Sequence, residues 1–273
     1  MTTSTGPVSS AAERFHQLHQ GPILVLPNAW DVASARLVED AGAAAVATTS
    51  AGLSWSWGVA DGEELGLETT LDLTRRVVHA VDVPVTTDLE AGYAHDLDGL
   101  AANVRAVLDA GAVGVNFEDG LAGGLRPVEG QVARIAAVRQ EAGAGLYVNA
   151  RTDTYLRAVG APEDRLDETV RRAEAYLGAG ASGIFVPGLA DLRIIEALVA
   201  RIPAPVNILV GPGSPTIREL AEVGVARASA GSAIAQAVYG HVQRAAAELL
   251  GPGTYTELAG AADYPTMNAL LSR

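Results

Sequence analysis

Eight short, nearly continuous apolar runs recur along the chain: Ile23–Leu26, Ala44–Thr48, Val83–Thr87, Val113–Phe117, Gly145–Asn149, Gly183–Val186, Val206–Val210 and Val225–Ser229. A strand that alternates apolar and polar residues has one dry face. A run that is apolar throughout is covered on both faces, the habit of parallel strands. Between the runs the period lengthens to that of a helix: Leu97, Leu100, Val104, Val107 and Leu108 form one stripe, and Leu166, Val170, Ala173 and Leu177 another. Ser214-Pro215 ahead of Ile217 and Leu220 reads as an N-cap followed by proline in the first turn. Ala-Gly-Ala recurs at equal spacing at 41–43, 110–112 and 179–181, each time between a helix and the next strand, where glycine suits a left-handed helix C-cap.

Eight strands alternating with helices in 273 residues predict one α/β domain spanning residues 1–273, a (β/α)8 TIM barrel. An open doubly wound sheet is the alternative, but no Gly-x-Gly-x-x-Gly follows the first strand to favour its dinucleotide-binding form. Ser9–His19 and Tyr255–Ser272 fall outside the eight units; they predict an extra N-terminal helix over the barrel and a C-terminal helix that packs elsewhere.

Composition narrows the chemistry. The chain has no cysteine, and all 19 basic residues are arginine. Disulfides, thiolate zinc sites, cysteine nucleophiles, Schiff-base lysine chemistry and a Walker A loop are therefore excluded. The net charge of −13 and the absence of a basic stripe argue against a nucleic-acid partner. No apolar run is long enough to cross a bilayer and the first ten residues are polar, so no membrane partner and a cytoplasmic location are expected. An acidic protein that takes an anionic substrate must reverse the potential locally, with a metal or an arginine.

In a barrel the strand C-termini and the loops after them carry the chemistry. Thr48, Thr49 and Ser50 follow the second strand, with Asp61 further along that loop; Asp88 to Tyr93 follow the third and Glu118-Asp119-Gly120 the fourth. The fifth strand leads into Arg151 and Asp153, and Asn207 begins the seventh. Taken singly, such acids cap helices or pair with arginine. Gathered at one rim they need a cation, and Asp88 and Glu90, alternating along an extended segment, face one side. Oxygen donors without Cys or His indicate Mg²⁺, with Mn²⁺ as a second choice, and Arg151 across the rim suits a substrate carboxylate. His95 and Tyr93 are candidates for proton transfer beside that motif, while Trp55 and Trp57 read as a lid or a subunit contact. His16, His19, His79 and His241 read as structural.

The segments Pro27-Asn28-Ala29-Trp30-Asp31, Thr49-Ser50-Ala51-Gly52, Asp88-Leu89-Glu90-Ala91-Gly92-Tyr93, Phe117-Glu118-Asp119-Gly120 and Asn149-Ala150-Arg151-Thr152-Asp153 occur in this order. Together they resemble the isocitrate lyase/phosphoenolpyruvate mutase superfamily, from about Phe15 to about Ser232. The resemblance implies Asp88 as a direct Mg²⁺ ligand, with Glu90 and Glu118 holding coordinated water and Asp61 a further acid near the metal. It implies Thr48, Thr49, Ser50, Arg151 and Asn207 as substrate-binding residues, and Arg151, Glu118 and Asp61 as catalytic ones. The chemistry implied is cleavage of a C–C bond at C3 of a small 2-hydroxy or 2-oxo carboxylic acid, through an enolate stabilised by the metal. It further implies a homodimer or homotetramer whose C-terminal helix is swapped between subunits.

Lyases of this family carry a Lys-Arg-Cys-Gly-His-type loop after the fourth strand, and its phosphonate mutases a lysine and an asparagine. This chain has Gly120-Leu-Ala-Gly-Gly-Leu-Arg-Pro127 instead. A substrate smaller than methylisocitrate is therefore expected. The alternatives are P–C chemistry of the phosphonopyruvate mutase or hydrolase type, and a keto-acid-binding barrel without turnover.

Overall fold

The computed structural model describes residues 7–121 and 123–272. All eight apolar runs form strands. β1 comes in two pieces, Leu24–Leu26 and Asn28–Ala29; β2 is Val46–Thr48, β3 Val85–Asp88, β4 Gly114–Glu118, β5 Tyr147–Arg151, β6 Gly183–Val186, β7 Val206–Leu209 and β8 Arg227–Ser229. The neighbours are parallel, and the sheet runs from the first piece of β1 through β8, β7, β6, β5, β4, β3 and β2 back to its second piece. Leu24–Leu26 pairs with Arg227–Ser229, whereas Asn28 and Ala29 pair with Ala47 and Thr48. Pro27 stands at the change of partner, where its missing N–H removes no ladder bond. The sheet thus wraps into a parallel barrel surrounded by helices, as the pattern predicts.

Alternation along the strands separates two environments. Val115, Phe117, Val148, Ala150, Ile184, Val186, Val206 and Ile208 pack outward against helix residues such as Leu100, Val104, Ile135, Tyr176 and Leu198. The alternate positions of β4, β5, β7 and β8 fall on the inner face, and there they are polar: Asn116, Asn149, Asn207 and Arg227, all buried.

The foot of the barrel is closed by the N-terminal helix Pro7–Leu18. Its Phe15 is fully buried among Leu24, Leu26, Ala45, Ala47, Val113 and Tyr147. This seat requires glycine at 114, because a Cβ there would lie 2.6 Å from Phe15 Cε1 and 2.8 Å from Thr86 Oγ1. His19, just beyond the helix, stacks on Tyr147 at 3.8 Å between ring centroids.

Gly42, Gly111 and Gly180, the centres of the three Ala-Gly-Ala repeats, all have positive φ (+93°, +86° and +105°), the conformation expected after a helix end. The expected cap at Ser214 is displaced. Thr216 caps helix Ile217–Glu222 in a reciprocal capping box with Glu219, and Ser214 accepts the Gly211 N–H instead. The glutamate three residues beyond Thr216 decides the position.

After β8, helix Ala233–Leu250 buries Ala235 and Ala245 but leaves Ile234, Val238, Tyr239, Val242, Leu249 and Leu250 exposed. The last helix, Tyr264–Leu271, lies against helix Val32–Asp40 of its own chain, and Arg36 donates to the Leu270 carbonyl from Nε (3.2 Å) and Nη2 (3.1 Å). No helix of the described residues is long and apolar enough to cross a membrane.

Candidate active site

The inner-face residues at the strand C-termini meet at the mouth of the barrel. Glu118 and Arg151 are register partners on β4 and β5, and their side chains form an ion pair of 2.8 Å. The remaining nitrogens of Arg151 are also taken: Nε donates to Asp153 Oδ1 (2.6 Å) and Nη2 to Asp153 Oδ2 (3.2 Å). Asp153, fully buried, also receives Arg157 Nε at 3.1 Å. Asp119 is turned to structure, holding Arg172 Nη1 (3.0 Å), the Tyr176 hydroxyl (2.7 Å) and the Asp153 N–H (3.0 Å).

Asp88 ends β3 and is buried. Its backbone N–H donates to Thr48 Oγ1 at 3.0 Å, and its Oδ2 accepts a long bond of 3.4 Å from the Ser50 N–H. Its Oδ1 is buried and has no partner among the described residues. Burial raises the Asp88 carboxyl above the usual aspartate range; Arg151 opposes the shift and Asp61 adds to it.

Glu90 departs from the expected extended segment. Its φ is +49°, so the chain turns left-handed there and simple alternation from Asp88 fails. The turn is held by contacts the sequence does not display: the Glu90 carboxylate accepts the Glu63 N–H at 2.7 Å and the Tyr93 hydroxyl, and Glu63 Oε1 accepts the Tyr93 N–H at 2.7 Å. Burial lifts Glu90 to about 7 against the Tyr93 hydrogen bond, and lifts Glu118 to about 8 against the attraction of Arg151.

A cavity of about 200 Å³ opens between these groups. Asn28, Thr49, Ser50, Asp61, Asp88, Asn116, Arg151 and Ser229 form its polar wall, and Leu156, Phe185, Pro187 and Leu209 an apolar one. Of the residues singled out in the sequence, Thr49, Ser50, Asp61, Asp88 and Arg151 lie on the cavity. Glu90 and Glu118 stand behind it. Thr48 shares the outward side of β2 with Val46, and its hydroxyl contacts Thr87 Oγ1 at 3.2 Å as well as the Asp88 N–H. Asn207 lies in the layer beneath, accepting the Ser229 hydroxyl at 3.1 Å. His95 is exposed, and Trp55 meets Tyr239 edge-on rather than lining the cavity.

Asn28, Asn116, Ser229 and Arg227 gained no role from the sequence. Asn116 carried a signal, since it sits two residues before Glu118 and so shares its face. Size alone would mislead: a cavity of about 590 Å³ lies at the foot beside Arg14, Leu18 and Ala41–Ala44, with no acid in its wall.

The model of the phosphoenolpyruvate phosphomutase family matches residues 15–250, most of the chain and every strand of the barrel. The chain belongs to the isocitrate lyase/phosphoenolpyruvate mutase superfamily. It is 40% identical to an uncharacterised protein of Mycobacterium tuberculosis, over 80% of this chain and 81% of that one. A 2-methylisocitrate lyase of Bacillus subtilis is 33% identical over 71% of this chain and 65% of its own length. A solved structure from Burkholderia cenocepacia, described as a lyase/mutase, superposes with a TM-score of 0.91 at 35% identity, covering 97% of each chain.

The donor set fits a superfamily member's Mg²⁺. Among the described residues no three His, Cys, Asp or Glu side chains are gathered closely enough to cage an ion. What the mouth offers is one buried carboxylate oxygen without a partner, with Asp61 on the same cavity and Glu90 and Glu118 behind. Mg²⁺ is typically bound by one or two carboxylates and keeps several waters.

Proposed function

We propose that the mouth cavity binds a small 2-oxo or 2-hydroxy carboxylic acid together with Mg²⁺, Mn²⁺ being a substitute, and that the protein cleaves a C–C bond at C3 of that acid. The observation that carries this reading is the orphaned Asp88 Oδ1, buried at the mouth of a barrel of this superfamily. Asp88 would hold the ion directly; Asp61, Glu90 and Glu118 would hold its water. The bound cation supplies positive charge against the negative charge that develops on the substrate oxygens as the bond breaks.

The chain's own residues do the rest. Thr49 and Ser50 form the wall beside Asp88, where a substrate carboxylate is expected. Arg151 fixes Glu118 and Asp153 and presents its edge to the cavity. Leu156, Phe185, Pro187 and Leu209 make the opposite wall apolar. Two features support a compact substrate over a methylisocitrate-like one. The cavity is small, and Arg151, the one basic side chain on its wall, already has carboxylate partners for all three nitrogens.

The test is turnover of a panel of 2-oxo and 2-hydroxy acids with Mg²⁺. Cleavage of at least one, falling about a thousandfold or more in Asp88→Ala, is expected. Phosphate release from phosphonopyruvate with no C–C cleavage would move the assignment to P–C chemistry. Mg²⁺-dependent oxalate binding without turnover of any acid would leave a binding protein. The exposed apolar face of helix Ala233–Leu250 supports a homodimer or homotetramer, which light scattering checks; the last helix, docked on its own chain through Arg36 and Leu270, gives no support to the expected exchange.

A further inference from the structure

The inner faces of β4, β5, β7 and β8 carry a polar layer where a barrel interior is ordinarily packed with branched aliphatic side chains. Asn116 is the register partner of Asn149 and of Asp88, and Asn207 that of Arg227. Arg227 is fully buried. Its Nε donates to Ser229 Oγ at 3.0 Å and its Nη2 to Asn116 Oδ1 at 3.2 Å, while Nη1 has no partner among the described residues. None of its hydrogen-bond partners is a carboxylate. A buried guanidinium without a hydrogen-bonded carboxylate is strongly unfavourable, and packing does not account for it. Burial lowers it only to about 10, so it stays charged at neutral pH.

Its contacts converge on the cavity floor. Asn116 Oδ1 also accepts Asn149 Nδ2 at 2.8 Å. With two donors on the oxygen the amide has one orientation, and its NH₂ group is left for the cavity that Asn116 lines. Ser229, on the same wall, accepts from Arg227 and donates its own hydroxyl hydrogen bond to Asn207 Oδ1 at 3.1 Å. The mouth is otherwise crowded with acids, and Arg151 is held by both oxygens of Asp153, with Glu118 on its third nitrogen.

We propose that Arg227 is a positioning residue for the anionic end of the ligand: it locks Asn116 with its amide hydrogens toward the cavity, and sets beneath the floor a positive charge that no carboxylate hydrogen-bonds. The carboxylate or enolate-like oxygen of the bound acid then lies on the Asn116 side, away from the Leu156–Phe185 wall. This rests on the keto-acid reading above.

Calorimetric titration of Mg²⁺ alone, and of oxalate in the presence of Mg²⁺, separates this role from a structural one. Arg227→Met is expected to weaken oxalate about 10-fold or more, with partial recovery in Arg227→Lys. Mg²⁺ alone should bind as well or more tightly, because Arg227 acts electrostatically on Asp88 and repels a cation there. Opposite signs for cation and anion are the signature, since general damage weakens both. Asn116→Asp keeps the shape, gains an ion pair with Arg227, and should lose oxalate to a similar degree with no loss in melting temperature; it decides the matter if Arg227→Met does not fold. Oxalate affinity within about twofold of wild type in these variants, or parallel losses of Mg²⁺ and oxalate, overturns the proposal. Mg²⁺-dependent oxalate binding that survives Asp88→Ala overturns the metal reading alone. A wild-type protein that binds neither overturns both.

Discussion

The mouth and the foot of the barrel both bury ionisable groups, and both push them toward their neutral forms. At the mouth burial lifts Glu90 to about 7 and Glu118 to about 8; at the foot it lowers His19 to about 3. Each end also has buried polar atoms without partners among the described residues: Asp88 Oδ1 above, His19 Nε2 and Tyr147 Oη below. The ends differ in access. Asp88 borders a cavity shared with Asp61 and Arg151, whereas Phe15 and the stacked rings of His19 and Tyr147 pack on one another and none of them lines the cavity at the foot. An orphaned acid beside a cavity invites a cation. An orphaned ring nitrogen under a helix reflects packing.

If the foot is purely structural, Phe15→Ala should cost about 3–5 kcal/mol of stability, read by denaturant unfolding, and leave the Mg²⁺ affinity of the folded fraction within about twofold. A large change in Mg²⁺ affinity would show that the two ends are coupled. The next largest effect sets them against each other through pH. Carboxyls whose folded values lie above their unfolded ones hold protons that the unfolded chain has lost, so the metal-free protein should lose stability as pH rises from about 4.5 to 8. The slope is about 1.4 kcal/mol per pH unit for each group within its window, and Glu118→Gln should remove part of it. Saturating Mg²⁺ should flatten it, because the ion favours the ionised acids.

The foot carries the opposite sign. The folded value of His19 is depressed, so its contribution is present above about 6.5 and is lost as pH falls toward 3. His19→Gln should make acid unfolding shallower in that window, and an unchanged acid limb would remove His19 from the account. The smallest effect returns to the mouth. Thr48→Val deletes the acceptor of the Asp88 N–H and should cost about 1–2 kcal/mol, with a modest fall in Mg²⁺ affinity.

The barrel was legible because a parallel strand covered on both faces announces itself as an apolar run, and all eight runs became strands. Helix ends marked by Ala-Gly-Ala were legible for an equally local reason: glycine alone takes positive φ without strain. The candidate site was legible in part. Asp88, Asp61, Thr49, Ser50 and Arg151 reach the cavity because residues at strand C-termini and in the loops after them converge at one rim. Thr48 fell on the outward side by strand parity, and Glu90 was turned by contacts with Glu63 and Tyr93 that join separate loops.

Residue identity along the chain therefore determined the fold class, the acids at the rim and the exclusion of lysine and cysteine chemistry. Only the tertiary structure decided which carboxylate keeps an oxygen free, which arginine is already neutralised, and that Arg227, set in an apolar run, lies beneath the cavity. Those outcomes depend on burial and on partners distant in sequence, and neither is a property of any local stretch of chain.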